Sequence, residues 1–202
     1  MDGARVFVVD ADDRTREAMR QVLQRSGFNV SAFSSAEAFL DRGVGAGPAC
    51  AVLDYQLLGM SGLNLQHSLG NRALSIVFVA SHSDVSTVVE AMKGGAVDFL
   101  SKPADPEQLT AAVTRGLDQS AHAESDRMLH DIFARRLDRL TRREREVATR
   151  LIRGLSNKEI ASELGAAEKT VKVHRGRAMA KLEVDSVAEL VRLTRKADID
   201  VY

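Results

Sequence analysis

Five short apolar runs, each followed by a stretch with helical spacing, constrain the first half of this chain more than any other feature. They occupy residues 5–9 (RVFVV), 28–33 (FNVSAF), 49–53 (ACAVL), 75–79 (SIVFV) and 96–100 (AVDFL). Runs this rich in β-branched residues suit strands buried on both faces. Between them the spacing predicts a helix over residues 13–26, with Ala18, Val22 and Leu23 inward and Gly27 closing it. A capping box of Ser34 and Glu37 opens a short helix through Phe39 and Leu40. Further helices are expected near residues 63–69 and 85–93, and another starts near Pro106. Five β/α units in series imply a parallel sheet with helices on both faces, whose ligands bind beyond the carboxyl ends of the strands. Asp10, Asp12, Asp54, Ala80, Ser81 and Lys102 all fall at those ends.

That set of side chains is chemically suggestive. Two or three carboxylates can hold Mg2+, a hard cation that keeps several of its waters. The metal and a lysine can then neutralise a phosphoryl group during in-line transfer to a carboxylate nucleophile. The plain alternative is that acids at loop starts cap helices and stay out of the core. Taken by themselves, these residues leave both readings open.

The second half has a different character. Residues 119–140 are rich in charge and helix formers, with Leu129, Ile132, Phe133 and Leu137 on one seam, which predicts a linker helix. Thr141 with Glu144, and Ser156 with Glu159, are capping boxes. The second box opens a short helix with Ile160, Ala161 and Leu164 on one side and Gly165 placed to end it. After a tight turn, a second helix is expected over residues 168–182. At roughly 100° per residue, Val171, Ala178 and Leu182 share its inner side. Lys169, Lys172, Val173, Gly176 and Arg177 project from the opposite side. Cations, one apolar side chain and one gap suit a DNA major groove: Lys172, Val173 and Arg177 as base readers, Lys158, Lys169, Thr170 and Lys181 as phosphate contacts. The competing reading is an ordinary amphipathic helix with a solvated basic face. Ser186 and Glu189 open a last helix whose Val187, Leu190, Val191 and Leu193 form either a dimer face or a seam against their own domain.

Charge supports the division. The chain of 202 residues is formally neutral, yet residues 1–120 hold 10 Lys/Arg against 14 Asp/Glu, whereas residues 134–182 hold 14 against 6. A basic block attached to an acidic half points to a nucleic-acid module. With 45% hydrophobic and 28% charged residues the composition is globular, and no run of 18 apolar residues offers a membrane span. The start, MDGARVFVVDADD, lacks a signal peptide, and the single cysteine, Cys50, excludes an internal disulfide. Both fit a cytoplasmic protein, with Cys50 a small core residue.

The run from Leu140 to Leu182, with Gly154-Leu155-Ser156-Asn157-Lys158-Glu159-Ile160-Ala161 and Thr170-Val171-Lys172-Val173-His174, resembles the helix-turn-helix of the LuxR type. It departs at Ala167, where such domains often place Ser, Thr or Pro. Residues 3–120, with Val8-Val9-Asp10, Val52-Leu53-Asp54, Met60-Ser61-Gly62, the stretch from Glu90 to Phe99 and Lys102-Pro103, resemble the receiver domain of two-component response regulators. The whole chain is thus similar to the NarL/FixJ type. That resemblance implies Asp54 as phosphoacceptor, Asp10 as one acid of a pair, and Lys102 beside the cluster or the phosphoryl group. It implies the backbone carbonyl of Gln56 as a further Mg2+ ligand, Phe99 as the aromatic that changes rotamer, and His174 within the DNA-binding set. The sequence departs from the pattern at three places. Ala11 replaces the second acid, Ala80 replaces the switch Ser/Thr, and Leu57-Leu58 replaces the usual Met-Pro.

These readings together predict an α/β receiver with a five-stranded, flavodoxin-like doubly wound sheet, followed by an all-α four-helix helix-turn-helix domain. The expected division is receiver over residues 1–120, helical linker over 121–139 and DNA-binding domain over 140–202. The expected function is a dimeric, DNA-binding transcription regulator served by a sensor histidine kinase, with phosphorylation at Asp54 weakened by Ala11 and Ala80. The alternatives are a phosphorylation-independent regulator, whose receiver serves dimerisation or ligand sensing, and a phosphoryl sink. No nucleophile–base motif, Cys/His metal set or P-loop suggests an independent enzyme.

Overall fold

A computed structural model describes residues 4–57, 59–70 and 73–197. Leu58, half of the expected Met-Pro departure, lies outside these residues, as does the 198–202 end of the expected DNA-binding stretch. The chain divides into two compact units, Met1–Glu124 and Ser125–Tyr202.

In the first unit the elements alternate: β1 (Arg5–Val9), α1 (Asp13–Arg25), β2 (Asn29–Phe33), α2 (Ala36–Arg42), β3 (Ala49–Asp54), α3 (Gly62–Leu69), β4 (Leu74–Ala80), α4 (Val85–Lys93) and β5 (Asp98–Ser101). The strands pair in the order β2-β1-β3-β4-β5, all parallel. This is the five-stranded doubly wound sheet that the apolar runs predict. Successive side chains alternate between its two faces. Phe7, Val9, Leu53 and Phe78 pack with Phe39, Leu63 and Leu65, whereas Val8, Val52, Val77 and Val79 pack with Leu23, Leu109 and Val113. Cys50 is fully buried, and burial pushes its thiol up to about 12.

Local details differ from the sequence expectation in three places. The cap of α2 is Ser35, whose side chain accepts from the Ala38 N–H, and not Ser34. Met19, not Ala18, faces inward on α1, where Met19 and Leu23, four residues apart, form the buried stripe. β5 begins at Asp98: Ala96 N still bonds back to Ala91 O at the end of α4, and Val97 N donates to Ile76 O of β4 just before the strand starts.

The segments expected as a last receiver helix and a linker helix are one helix, α5 (Pro106–Asp138). Its early part belongs to the first unit: Leu109, Val113 and Leu117 are buried, and the buried Ser120 hydroxyl donates to Ala73 O at 2.7 Å and accepts from Ala49 N at 2.8 Å. Its late part belongs to the second unit, where Phe133 and Leu137 are buried against Ala178, Leu182 and Leu190. Of the expected seam, Ile132 is exposed.

The second unit continues with α6 (Arg142–Ile152), α7 (Asn157–Leu164), α8 (Glu168–Leu182) and α9 (Val187–Lys196). Thr141 and Ser156 form complete capping boxes with Glu144 and Glu159, and Gly165 ends α7 in the left-handed conformation at φ 59°. The α9 seam packs on its own unit: Leu190 is fully buried with Ala178 and Leu182, and Val187 sits against Val147 and Ile160. Because Phe133 is 3% exposed in that core, Phe133→Ala is expected to destabilise the second unit by about 3–5 kcal/mol. Urea unfolding of the full chain, followed by a probe in α6–α9, checks this.

Candidate functional site

Asp10 follows β1, Asp54 ends β3 and Lys102 follows β5, so parallel strands deliver all three to one edge of the sheet. Lys102 Nζ lies 2.6 Å from Asp10 Oδ2 and 3.0 Å from Asp54 Oδ2. Asp10 is fully buried, and the side chains of Asp54 and Lys102 are only 11% and 12% exposed. The second oxygen of each acid accepts a backbone N–H: Asp10 Oδ1 from Asp12 at 2.8 Å, Asp54 Oδ1 from Gln56 at 3.2 Å. Burial works against the Lys102 ammonium, but its two carboxylate partners outweigh that and raise its pKa above the usual lysine value.

Asp12 does not join them. It is the N-cap of α1, accepting from Thr15 N at 2.8 Å and Thr15 Oγ1 at 2.6 Å, and these bonds hold its carboxyl below the ordinary range. A free helix N-terminus three residues before Thr15 competes for this side chain and wins. Ala80 is buried and presents only a methyl group, while the half-buried Phe99 ring lies 6.0 Å from that of Phe78. Arg16, which sequence inspection does not single out, donates to Asp10 O at 2.7 Å and steadies the β1–α1 turn. The only sequence signal for it is its place one turn into α1.

On the second unit, Lys158, Lys169, Thr170, Lys172, Gly176 and Arg177 are all exposed, and Val173 is 45% exposed on the same helix. Val171, Ala178 and Leu182 face inward. A Cβ at Gly176 would meet nothing within 4 Å, so the gap there opens to solvent. His174 is half-buried, with its Nδ1 enclosed and unpartnered among the described residues. Ala167 caps α8 without a side-chain bond. Lys181, expected as a phosphate contact, has an acidic partner within its own unit. Its Nζ lies 2.6 Å from Glu144 Oε2, which also accepts from Thr141 N at 2.8 Å. The pair braces α8 against the start of α6.

Residues 6–114 match the response regulator receiver domain, and residues 138–194 match the luxR family of bacterial regulatory proteins. The transcriptional regulatory protein FixJ of Azorhizobium caulinodans is 40% identical over 196 residues, which span 96% of this chain and 93% of that one. The chain belongs to the NarL/FixJ-type two-component response regulators. The response regulator StyR, solved at low resolution, is similar at 43% identity and TM-score 0.81, covering 96% of this chain and 98% of that one. Full-length FixJ from B. japonicum is similar at 36% identity and TM-score 0.59, covering 98% of both chains. As a response regulator of this type, the protein is a DNA-binding regulator of transcription.

Receiver domains of response regulators bind Mg2+ beside the phosphorylated aspartate. Among the described residues there is no cluster of three Asp, Glu, His or Cys that could hold a metal. Two carboxylates do converge, and one or two, with waters and a phosphate, are the usual protein share of a Mg2+ shell. The donor set of this response regulator therefore fits the ion, with one carboxylate charge fewer where Ala11 stands.

In the DNA-binding unit, Lys181 holds the Glu144 carboxyl below its ordinary value of 4.5. A depressed folded pKa contributes stability that is fully present above the unfolded value and is lost as pH falls through the folded one. Lys181→Met is expected to cost about 1–2 kcal/mol at neutral pH, less than a fully buried pair because the lysine is partly solvated. Thermal unfolding between neutral pH and pH 3 checks it: the variant and wild type should converge as the medium turns acidic.

Proposed function

We propose that this response regulator controls DNA binding through a receiver whose phosphorylation at Asp54 is weakened. The observation that carries the reading is the bridge from Lys102 to both Asp10 and Asp54 at the carboxyl edge of a parallel sheet. Asp54 is the phosphoacceptor, Asp10 its acidic partner, and Lys102 the cation that meets the phosphoryl oxygens. Asp10, Asp54 and the backbone carbonyl of Gln56 would hold Mg2+, which when bound adds positive charge beside the phosphoryl group. Ala11 removes one carboxylate from that set. Ala80, at the switch position, has no hydroxyl to bond the phosphoryl oxygen, so the contact that would bias Phe99 between two states is missing. An allosteric shift needs a difference in contacts between states.

On the DNA side, Lys172, Val173 and Arg177 read base edges, while Lys158, Lys169 and Thr170 hold the backbone of double-stranded DNA, with His174 between them. A sensor histidine kinase is the phosphoryl source, and the protein acts in the cytoplasm, without independent enzymatic activity. Among the described residues no helix is long and apolar enough to cross a membrane. We read it as a homodimer on paired half-sites. In support, α4 exposes Val85, Val89 and Met92 at helical spacing, with Val85 80% exposed. The working division remains receiver 1–120, linker 121–139 and DNA-binding domain 140–202, with Phe133 and Leu137 of the linker in the core of the last.

The alternative, a regulator independent of phosphorylation whose receiver serves dimerisation or ligand sensing, draws on Ala11 and Ala80. Intact mass after incubation with acetyl phosphate and Mg2+ separates the two. The expected result is a small fraction carrying one phosphoryl group in wild type, smaller still when a chelator removes the metal, and none in Asp54→Asn. Full occupancy in wild type, or equal occupancy in both proteins, rejects the weakened site.

Two substitutions test the DNA face. Lys172→Ala is expected to relax discrimination at one base pair by about 1–3 kcal/mol. Lys169→Ala is expected to weaken binding to all sequences alike and to reduce the salt slope by about 0.9. Binding titrations at several salt concentrations measure both.

A further inference from the structure

Ser81 is the first residue beyond β4, next to Ala80, which ends the strand. On β4, Ile76 and Phe78 pack with the Phe39 cluster, whereas Val77 and Val79 pack with the Leu23 and Leu109 cluster. Asp10, Asp54 and Lys102 come two residues after Val8, Val52 and Leu100, all members of the second cluster. Ser81 likewise comes two residues after Val79 of that cluster. The cavity geometry agrees: Ser81 lines a hollow of about 480 Å³ together with Lys102, Arg14, Thr15, Met19 and Leu109. Lys102 is common to the hollow and to the Asp54 contact.

We propose that Ser81 is a phosphoryl-binding residue: its hydroxyl donates to an oxygen of the Asp54 acyl phosphate from the α1 side. This rests on the reading of Asp54 as phosphoacceptor. With acetyl phosphate as donor, an Asp54 carboxylate oxygen forms the new P–O bond. The bond from phosphorus to the acetyl oxygen breaks, and acetate leaves with the electron pair. The phosphoryl group keeps its two negative charges, one oxygen meeting Lys102 and another the Ser81 hydroxyl. Phe99 packs on the opposite face with Phe78. The Ser81 contact therefore stabilises the phosphoryl group without drawing on the aromatic position, which separates holding the phosphate from signalling it.

The test follows intact mass of the full chain during incubation with acetyl phosphate and Mg2+, then after removal of the donor, in wild type, Ser81→Ala, Ser81→Thr and Asp54→Asn. One lost hydrogen bond to a charged group predicts that Ser81→Ala lowers phosphoryl occupancy or lifetime at least about tenfold. Ser81→Thr, which keeps the hydroxyl, should restore it, an outcome that a purely structural role for position 81 would not produce. If wild type and Ser81→Ala are phosphorylated alike while Asp54→Asn is not, the role of Ser81 is overturned and that of Asp54 stands. If wild type takes up no phosphoryl group, both are overturned.

Discussion

Two carboxylates at one edge of a sheet, one of them fully buried, repel each other and lose hydration, and neither would be stable there without a cation. Lys102 supplies it, within 3.0 Å of both acids. Each remaining oxygen is held by a backbone N–H of the turn that follows its strand. The site is therefore a balanced but charged arrangement whose parts come from β1, β3 and the end of β5. Removing the cation from such a set leaves uncompensated buried charge, which costs more than the ion pair contributes. The strands must end in register for this to form, and the two apolar clusters on the sheet faces hold them so. The core positions the chemistry, and the lysine makes the position tolerable.

The DNA-binding unit solves a different problem, which is to keep a basic helix facing outward. Its inner side is narrow, with only Val171, Ala178 and Leu182 buried, so packing alone fixes its rotation weakly. Polar braces complete the task. Lys181 bonds Glu144 of α6, Arg175 donates to Asn157 of α7 at 3.2 Å, and Arg136 of α5 donates to Leu182 O at 3.2 Å. Arg150 and Glu163 tie α6 to α7 at 2.8 Å. The cations assigned to DNA at 158, 169, 172 and 177 are exposed, while Lys181, and Arg175 outside that set, also bond within the unit.

Most of the fold was legible because its signals are local. Continuous apolar runs marked the strands, and the boxes at Thr141–Glu144 and Ser156–Glu159 marked helix starts to the residue. Several misses share one cause, a choice between adjacent or equivalent side chains that only packing resolves. Ser35 rather than Ser34 caps α2, Met19 rather than Ala18 turns inward, and Asp12 serves the α1 terminus instead of the acidic cluster. Lys181 could not be separated from its neighbours, since its partner Glu144 lies 37 residues away in sequence. At Ser81 the position next to the end of β4 was legible in the sequence, but its place in one hollow with Lys102 emerged only from the fold.

The path of α5 has a consequence for anyone recombining this protein with a relative. The luxR-type match begins at residue 138, and a splice there would seem natural. It would leave Phe133 and Leu137 with the wrong parent, and the recipient core would inherit two foreign side chains in its centre. A splice between residues 120 and 121 would instead separate Glu124, which accepts from Gly47 N at 2.9 Å, from the loop it holds. The exposed stretch 125–128 is where a chimera can join two parents and leave both sets of buried partners intact.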